Sequence, residues 1–201
     1  MDTEVGREDL QIYPERMQII GDFSTSVKKA LSEIDSNWES YNGLVVCGTH
    51  NFQEVEKQIA SIKDARENNI PFLGICAGFE LMLIEWMRHL GHSQANSAEI
   101  DTNASPKVIV RLPEIRVGIR PVYWRGKESM ESHWHNYAFA RKHKEYFEDW
   151  ELSFTDGILE VAKLREHRFF LGTQFHPEYQ SSKENPHPIL NEFLIMAEKY
   201  G

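Results

Sequence analysis

Two short segments of this 201-residue chain are apolar at nearly every position. Residues 43–48 read Gly-Leu-Val-Val-Cys-Gly, and residues 70–75 read Ile-Pro-Phe-Leu-Gly-Ile. A strand with one wet face alternates apolar with polar residues, whereas a strand without polar positions is covered on both faces. Segments of helical period flank both. Residues 24–34 put Val27, Ala30, Leu31 and Ile34 on one face, and residues 52–68 turn Val55, Ile59 and Ile62 inward. Residues 77–90 read as a strongly apolar helix. With a first strand at residues 17–21, the alternation predicts a parallel sheet sandwiched between helices.

The second half reads differently. Residues 108–112, 117–123, 152–154, 158–164 and 169–175 read as strands. Several of the links between them are too short for helical crossovers, so some strands must pair antiparallel. Residues 190–200 form a closing helix after Asn185-Pro186-His187-Pro188. The expected fold is a single α/β domain over residues 1–201, a three-layer α/β/α sandwich. Its central sheet is mostly parallel with an antiparallel extension, and residues 1–16 form an N-terminal arm. A net charge of -9 argues against nucleic-acid and anionic-membrane partners, both of which need a basic face. Two cysteines without CxxC spacing give no disulfide scaffold. The charged N-terminus lacks an apolar signal core, and no apolar run reaches the ~18 residues that span a bilayer. A cytoplasmic protein is expected.

Cys76 stands in the frame Gly74-Ile75-Cys76-Ala77-Gly78, between the strand at 70–75 and the helix at 77–90. A helix N-terminus favours a thiolate. A sharp strand-to-helix turn exposes the side chain at the carboxyl end of the sheet, where α/β folds place ligands. The same residue could instead be a structural cysteine, a type readily buried. A nucleophilic thiol needs a base oriented by a carboxylate. The strand at 169–175 runs into His176-Pro177-Glu178, which supplies both at alternate positions. His133 and His135 alternate around Trp134, but no nearby cysteine or carboxylate completes a metal site, and neither metal nor cofactor is expected. Met82, Trp86 and Met87 read as core, and residues 141–144 (Arg-Lys-His-Lys) as a solvated helix face.

"PFLGICAGFELMLIEWMRHLG" and "FLGTQFHPEYQSSKENPHPIL" resemble the class I glutamine amidotransferase domain, in the form it takes as the glutaminase domain of CTP synthase. "ANSAEI" and "SHWHNYAF" are similar to further segments of that branch. The resemblance runs from about Met17 to the C-terminus and implies a flavodoxin-like fold. It implies Cys76 as the nucleophile that forms a γ-glutamyl thioester, His176 as base and later acid, and Glu178 as the orienting carboxylate. Ala77 would give an oxyanion-hole N–H, with Gly78 behind it and Gly48 and Thr49 opposite. Glu99 would hold the substrate ammonium, and Glu80, His135 and Asn136 would line the pocket. A separate ammonia-accepting synthetase would be the partner, and a homodimer is compatible.

Four departures stand out. The loop reads Cys47-Gly48-Thr49-His50 where the family has Pro-Gly-Gly. Glu80 replaces a glutamine, and Asn136 replaces an arginine that would pair with a substrate carboxylate. Both of these make the pocket more negative. The link at 35–42 is too short for a further edge strand. Two alternatives therefore stay open: a γ-glutamyl hydrolase or peptidase acting on another γ-glutamyl amide, and a non-catalytic regulatory paralogue. Cys47 ends the strand beside that of Cys76, which places the two thiols near each other, but a redox switch between them is not the expected role.

Overall fold

A computed structural model describes residues 16–49 and 52–200. Residues 1–15 of the expected arm and His50 of the expected oxyanion loop lie outside them. The first half follows a strict alternation: β1 (Gln18–Ile20), α1 (Ser24–Ile34), β2 (Leu44–Val46), α2 (Val55–Glu67), β3 (Phe72–Ile75) and α3 (Ala77–His89). The helix expected from residue 52 begins as a 3-10 turn, Phe52–Glu54, before α2. Only a 3-10 turn, Trp38–Ser40, stands between α1 and β2, and among the described residues β1 is at the sheet's edge, as the short link implies.

The second half contributes β4 (Asn96–Ser97), β5 (Lys107–Trp124), β6 (Lys127–Phe139), β7 (Trp150–Thr155), β8 (Ile158–Leu164), β9 (Phe170–Thr173) and α4 (Pro188–Lys199). Among the described residues, the central sheet runs β1-β2-β3-β9-β8-β7. Pairing is parallel from β1 through β9 and antiparallel beyond. β9 therefore enters beside β3 although about a hundred residues separate them.

The apolar strands explain the layers. Alternate residues face opposite sides of a strand. Leu44, Val46, Phe72 and Phe170 pack with α2 and α3, while Val45, Cys47, Leu73, Ile75 and Leu171 pack with α1 and α4. Arg66 of α2 joins the two helices on the first side by a buried two-point bond to Glu85 of α3, at 2.9 and 2.8 Å.

Two expectations are corrected. Residues 108–112 and 117–123 belong to one 18-residue strand, β5, which crosses Pro113 through an irregularity between Arg111 and Arg116. Its partner β6 is expected only as an extended segment around His133 and His135, because its start, Lys-Glu-Ser-Met-Glu-Ser, has no apolar period. The β5–β6 hairpin and β4 form a separate sheet, so the antiparallel part of the central sheet is β7, β8 and β9 alone. Residues 141–144 open a 3-10 segment, Arg141–Phe147. Its three basic side chains are exposed, but His143 is buried and bonds the Lys107 carbonyl at 3.1 Å.

Candidate functional site

The turn at Cys76 is as tight as its glycines imply. Cys76 has φ +55°, a left-handed conformation that costs a β-carbon-bearing residue of order 1–3 kcal/mol and clusters at functional sites. Gly78 is required by close approach: a Cβ there would stand 1.8 Å from the Val46 carbonyl oxygen. Gly74 is required from below, since its Cβ would stand 2.9 Å from the Gly78 carbonyl oxygen. Helix α3 is thereby seated on β2 and β3, with Cys76 half-buried at its N-terminus.

Sheet pairing brings the His-Pro-Glu segment to the same edge. Ile75 pairs with Thr173, and the Cys76 N–H donates to the Thr173 carbonyl at 2.8 Å. Three residues further on, the His176 N–H donates to the Ser132 carbonyl of β6 at 2.8 Å. The His176 Nδ1 donates to Glu178 Oε1 at 2.8 Å, with both residues buried. A carboxylate only accepts, so this bond fixes the proton on Nδ1 and leaves Nε2 as the basic nitrogen. The segment is not extended as expected. Pro177 turns it into a 3-10 helix, Pro177–Gln180, and that turn swings Glu178 back under the ring. Tyr179 stacks on the ring at 5.4 Å and Phe23 meets it edge-on at 6.1 Å.

The remaining expected residues fall into two groups. Thr49, Ala77, Glu80, Ser97 and Glu99 line one crevice beside α3. It is narrow, about 10 Å³, so it encloses no more than a water-sized space. Gly48 closes on Cys76, since a Cβ on it would lie 3.9 Å from the Cys76 Cβ. The Gly48 carbonyl accepts the Asp22 N–H at 3.0 Å. The trans peptide then directs the Thr49 N–H to the opposite side. In the second group, β6 passes over Cys76, whose thiol makes a long contact of 3.8 Å to the Trp134 carbonyl. Asn136 lies at the irregularity of the hairpin, without a cross-strand partner in the register. His135, expected in the pocket lining, turns both ring nitrogens into the wall, toward the Tyr137 carbonyl and His133.

Electrostatics changes two expectations. Burial pushes the Cys76 thiol well above its ordinary value, and Glu80 adds to this at the higher pH where it is ionised, against the Ala77 N–H that lowers it. Cys76 is therefore held as a thiol, not the thiolate expected at a helix N-terminus, because desolvation outweighs the helix end. Burial also raises Glu80 to about 8, while its bond from the Gln174 amide at 3.1 Å acts the other way. Glu80 is mostly protonated at neutral pH, so it does not make the pocket more negative. Cys47 is fully buried, donates to the Ile20 carbonyl at 3.2 Å, and is pushed up to about 12, which makes it unreactive.

Gln174 escapes the sequence reading, although it lies in the quoted "TQFHPE" with its side chain one alternation from His176. Phe23 and the Trp134 carbonyl carry no signal in the sequence, since each reaches the site only through the fold. Among the described residues, no group of three or more His, Cys, Asp or Glu could hold a metal ion. Also among them, no helix is long and apolar enough to cross a membrane. A larger cavity of about 560 Å³ lies between the hairpin and α4 and includes none of the expected site residues.

The model of the family described as glutamine amidotransferase class-I matches residues 20–196. The CTP synthase of Syntrophus aciditrophicus is 33% identical over 89% of this chain and 38% of its own length. That of Archaeoglobus fulgidus is 36% identical over 85% of the chain and 37% of its own length. The chain thus spans little more than a third of these curated relatives. Among solved structures, the glutaminase domain of Trypanosoma brucei CTPS with bound acivicin superposes with a TM-score of 0.83. It shares 22% identity, over 92% of this chain and 94% of that one.

Proposed function

Because this chain belongs to the class-I glutamine amidotransferase family, we propose that it hydrolyses the side-chain amide of glutamine and supplies the ammonia to a separate synthetase. The observation that carries this reading is the strained Cys76 turn beside a strand that ends in the bonded His176–Glu178 pair. Cys76 attacks the amide carbon while His176 Nε2 takes the thiol proton. The Ala77 N–H, joined by that of Thr49, stabilises the tetrahedral oxyanion. Collapse breaks the C–N bond as His176 returns the proton to the leaving nitrogen, which departs as ammonia. Water, deprotonated by His176, then cleaves the thioester to glutamate and the free thiol. Glu178 keeps His176 in the tautomer that both steps require. A neutral resting thiol suits this order, because the proton needed by the leaving group is still in the site at attack.

Glu99, at the mouth of the crevice, is the anion for the substrate ammonium, and entry of the substrate opens that crevice. A second reading, hydrolysis of a larger γ-glutamyl amide, now rests on Asn136 alone, since Glu80 is buried and mostly neutral. Purified protein is expected to release ammonia from glutamine. Cys76→Ala should lower the rate by about 10³-fold or more, and acivicin, which the Trypanosoma brucei domain binds, should block it. Faster turnover of bulky γ-glutamyl amides than of glutamine would favour the second reading. Turnover that survives in Cys76→Ala would remove both.

A further inference from the structure

The wall that β6 builds over Cys76 is held by an unusual device. Cross-strand pairing stops at Arg116↔His135 and resumes at Arg111↔Tyr137, so four residues of β5 face the single residue Asn136. At this point the backbone ladder does not fix the chain. Side chains do. His135 Nδ1 lies 2.8 Å from the Tyr137 carbonyl, spanning Asn136. His135 Nε2 lies 3.3 Å from His133 Nδ1.

The tautomers follow from the partners. A carbonyl only accepts, so His135 carries its proton on Nδ1 and presents Nε2 as an acceptor. His133 must then donate from Nδ1. Both rings are buried, which keeps them neutral and the order fixed. Glu160, fully buried on β8 beneath, accepts from Arg116 at 3.0 Å and ties the same stretch to the central sheet. Between the two histidines stands Trp134. Its ring faces solvent and its carbonyl faces the Cys76 thiol.

We propose that His133 and His135 are positioning residues: their relay of fixed tautomers, His133 to His135 to the Tyr137 carbonyl, holds the irregularity that sets the Trp134 carbonyl beside Cys76 and presents Asn136 to the substrate. This rests on the glutaminase reading for its kinetic consequence, but the placement of Cys76 is testable without it.

The relay predicts an asymmetry between two polar replacements. Asparagine places its amide N–H where Nδ1 was, and glutamine places its amide where Nε2 was. His135→Asn keeps the bond to Tyr137 but drops the acceptor for His133, and His135→Gln does the reverse; His133→Asn keeps the donor to His135 and His133→Gln loses it. Each variant is compared with the parent by the rate of Cys76 alkylation with iodoacetamide and by kcat and KM for ammonia release from glutamine. A misplaced reacting group costs up to about 10²-fold, so each Gln variant is expected to lose about 10-fold or more in kcat/KM, with His133→Asn within about 3-fold of the parent and His135→Asn, which keeps only the Tyr137 bond, in between. The alkylation rate is expected to shift most in the Gln variants, less in His135→Asn, and to stay at the parent value in His133→Asn. Both replacements are polar and similar in size, so unfolding common to both does not mimic the asymmetry. Equal behaviour of Asn and Gln at both positions overturns the relay. An alkylation asymmetry in a protein that releases no ammonia upholds the relay and overturns the glutaminase reading instead.

Discussion

Cys76 and Glu80 lie one helical turn apart, and each is shaped by burial more than by its neighbours' identity. Glu80 has the clearer consequence. Its folded value of about 8 stands above the 4.5 of an ordinary glutamate, so the folded chain binds a proton that the unfolded chain gives up. Relative to low pH, stability from this group is full below 4.5 and is lost progressively up to about 8. Glu80→Gln keeps a hydrogen-bonding partner for Gln174 and removes the titration. Its denaturation midpoint is expected to match the parent near pH 4.5 and to exceed it increasingly toward pH 8; urea melts across that range measure the difference. A constant gap between the two curves would show that Glu80 does not titrate there.

At the scale of elements, the seat of α3 on β2 decides whether the site exists. Gly78→Ala forces a methyl to 1.8 Å from a backbone oxygen of a central strand, and neither partner is a flexible side chain. A loss of about 3 kcal/mol or more is expected, at the upper end for single substitutions. At Gly172 the corresponding clash, 2.3 Å, is with a side chain, the Phe79 ring, rather than with backbone. Gly172→Ala should therefore cost less, and chemical denaturation of the two variants side by side tests the ranking. These elements are largely legible in the sequence. The 24–34 helix matches its expected bounds to the residue, and continuous burial and glycine placement mark the apolar strands and the Cys76 turn. The β5–β6 hairpin is not legible, because Pro113 and the polar start of β6 hide its period, although the two-residue turn Arg125-Gly126 that joins its strands carries a glycine. The site divides in the same way. Cys76, His176 and Glu178 stand in compact motifs, whereas Gln174 on Glu80 and the inward turn of His135 follow from tertiary packing.

For the molecule as a whole, the question is how the second sheet is fixed to the first. The Arg116–Glu160 bond joins them at 3.0 Å, and Glu160 is fully buried. Removing one partner of such a pair leaves an uncompensated polar group inside, at a cost of about 3–5 kcal/mol, whereas replacing both by apolar residues is often neutral. Arg116→Met is expected to destabilise strongly and Arg116→Met with Glu160→Leu to recover most of the loss. A double-mutant cycle from thermal or urea unfolding reads the coupling, and simple additivity would mean that this pair does not tie the two sheets together. Arg125, bonded to Glu192 of α4 at 2.9 Å, ties down the far end of the hairpin and is more exposed, so its loss should matter less.

The insertion of β9 beside β3 also divides the molecule along its sequence. The described strands of the central sheet fall into a set before β4 and a set after it, and they meet at the single β3–β9 border. Cys76 belongs to the first set and His176 with Glu178 to the second. During folding each half can gather its local contacts early, but the proposed catalytic pair comes together only when the two paired strands most widely separated in sequence find one another. Recovery of turnover after refolding would thus date the closing of that border, later than any signal from helices. A chain cut in the exposed stretch at residues 101–103 would carry thiol and base on different pieces, so its chemistry would report their reunion.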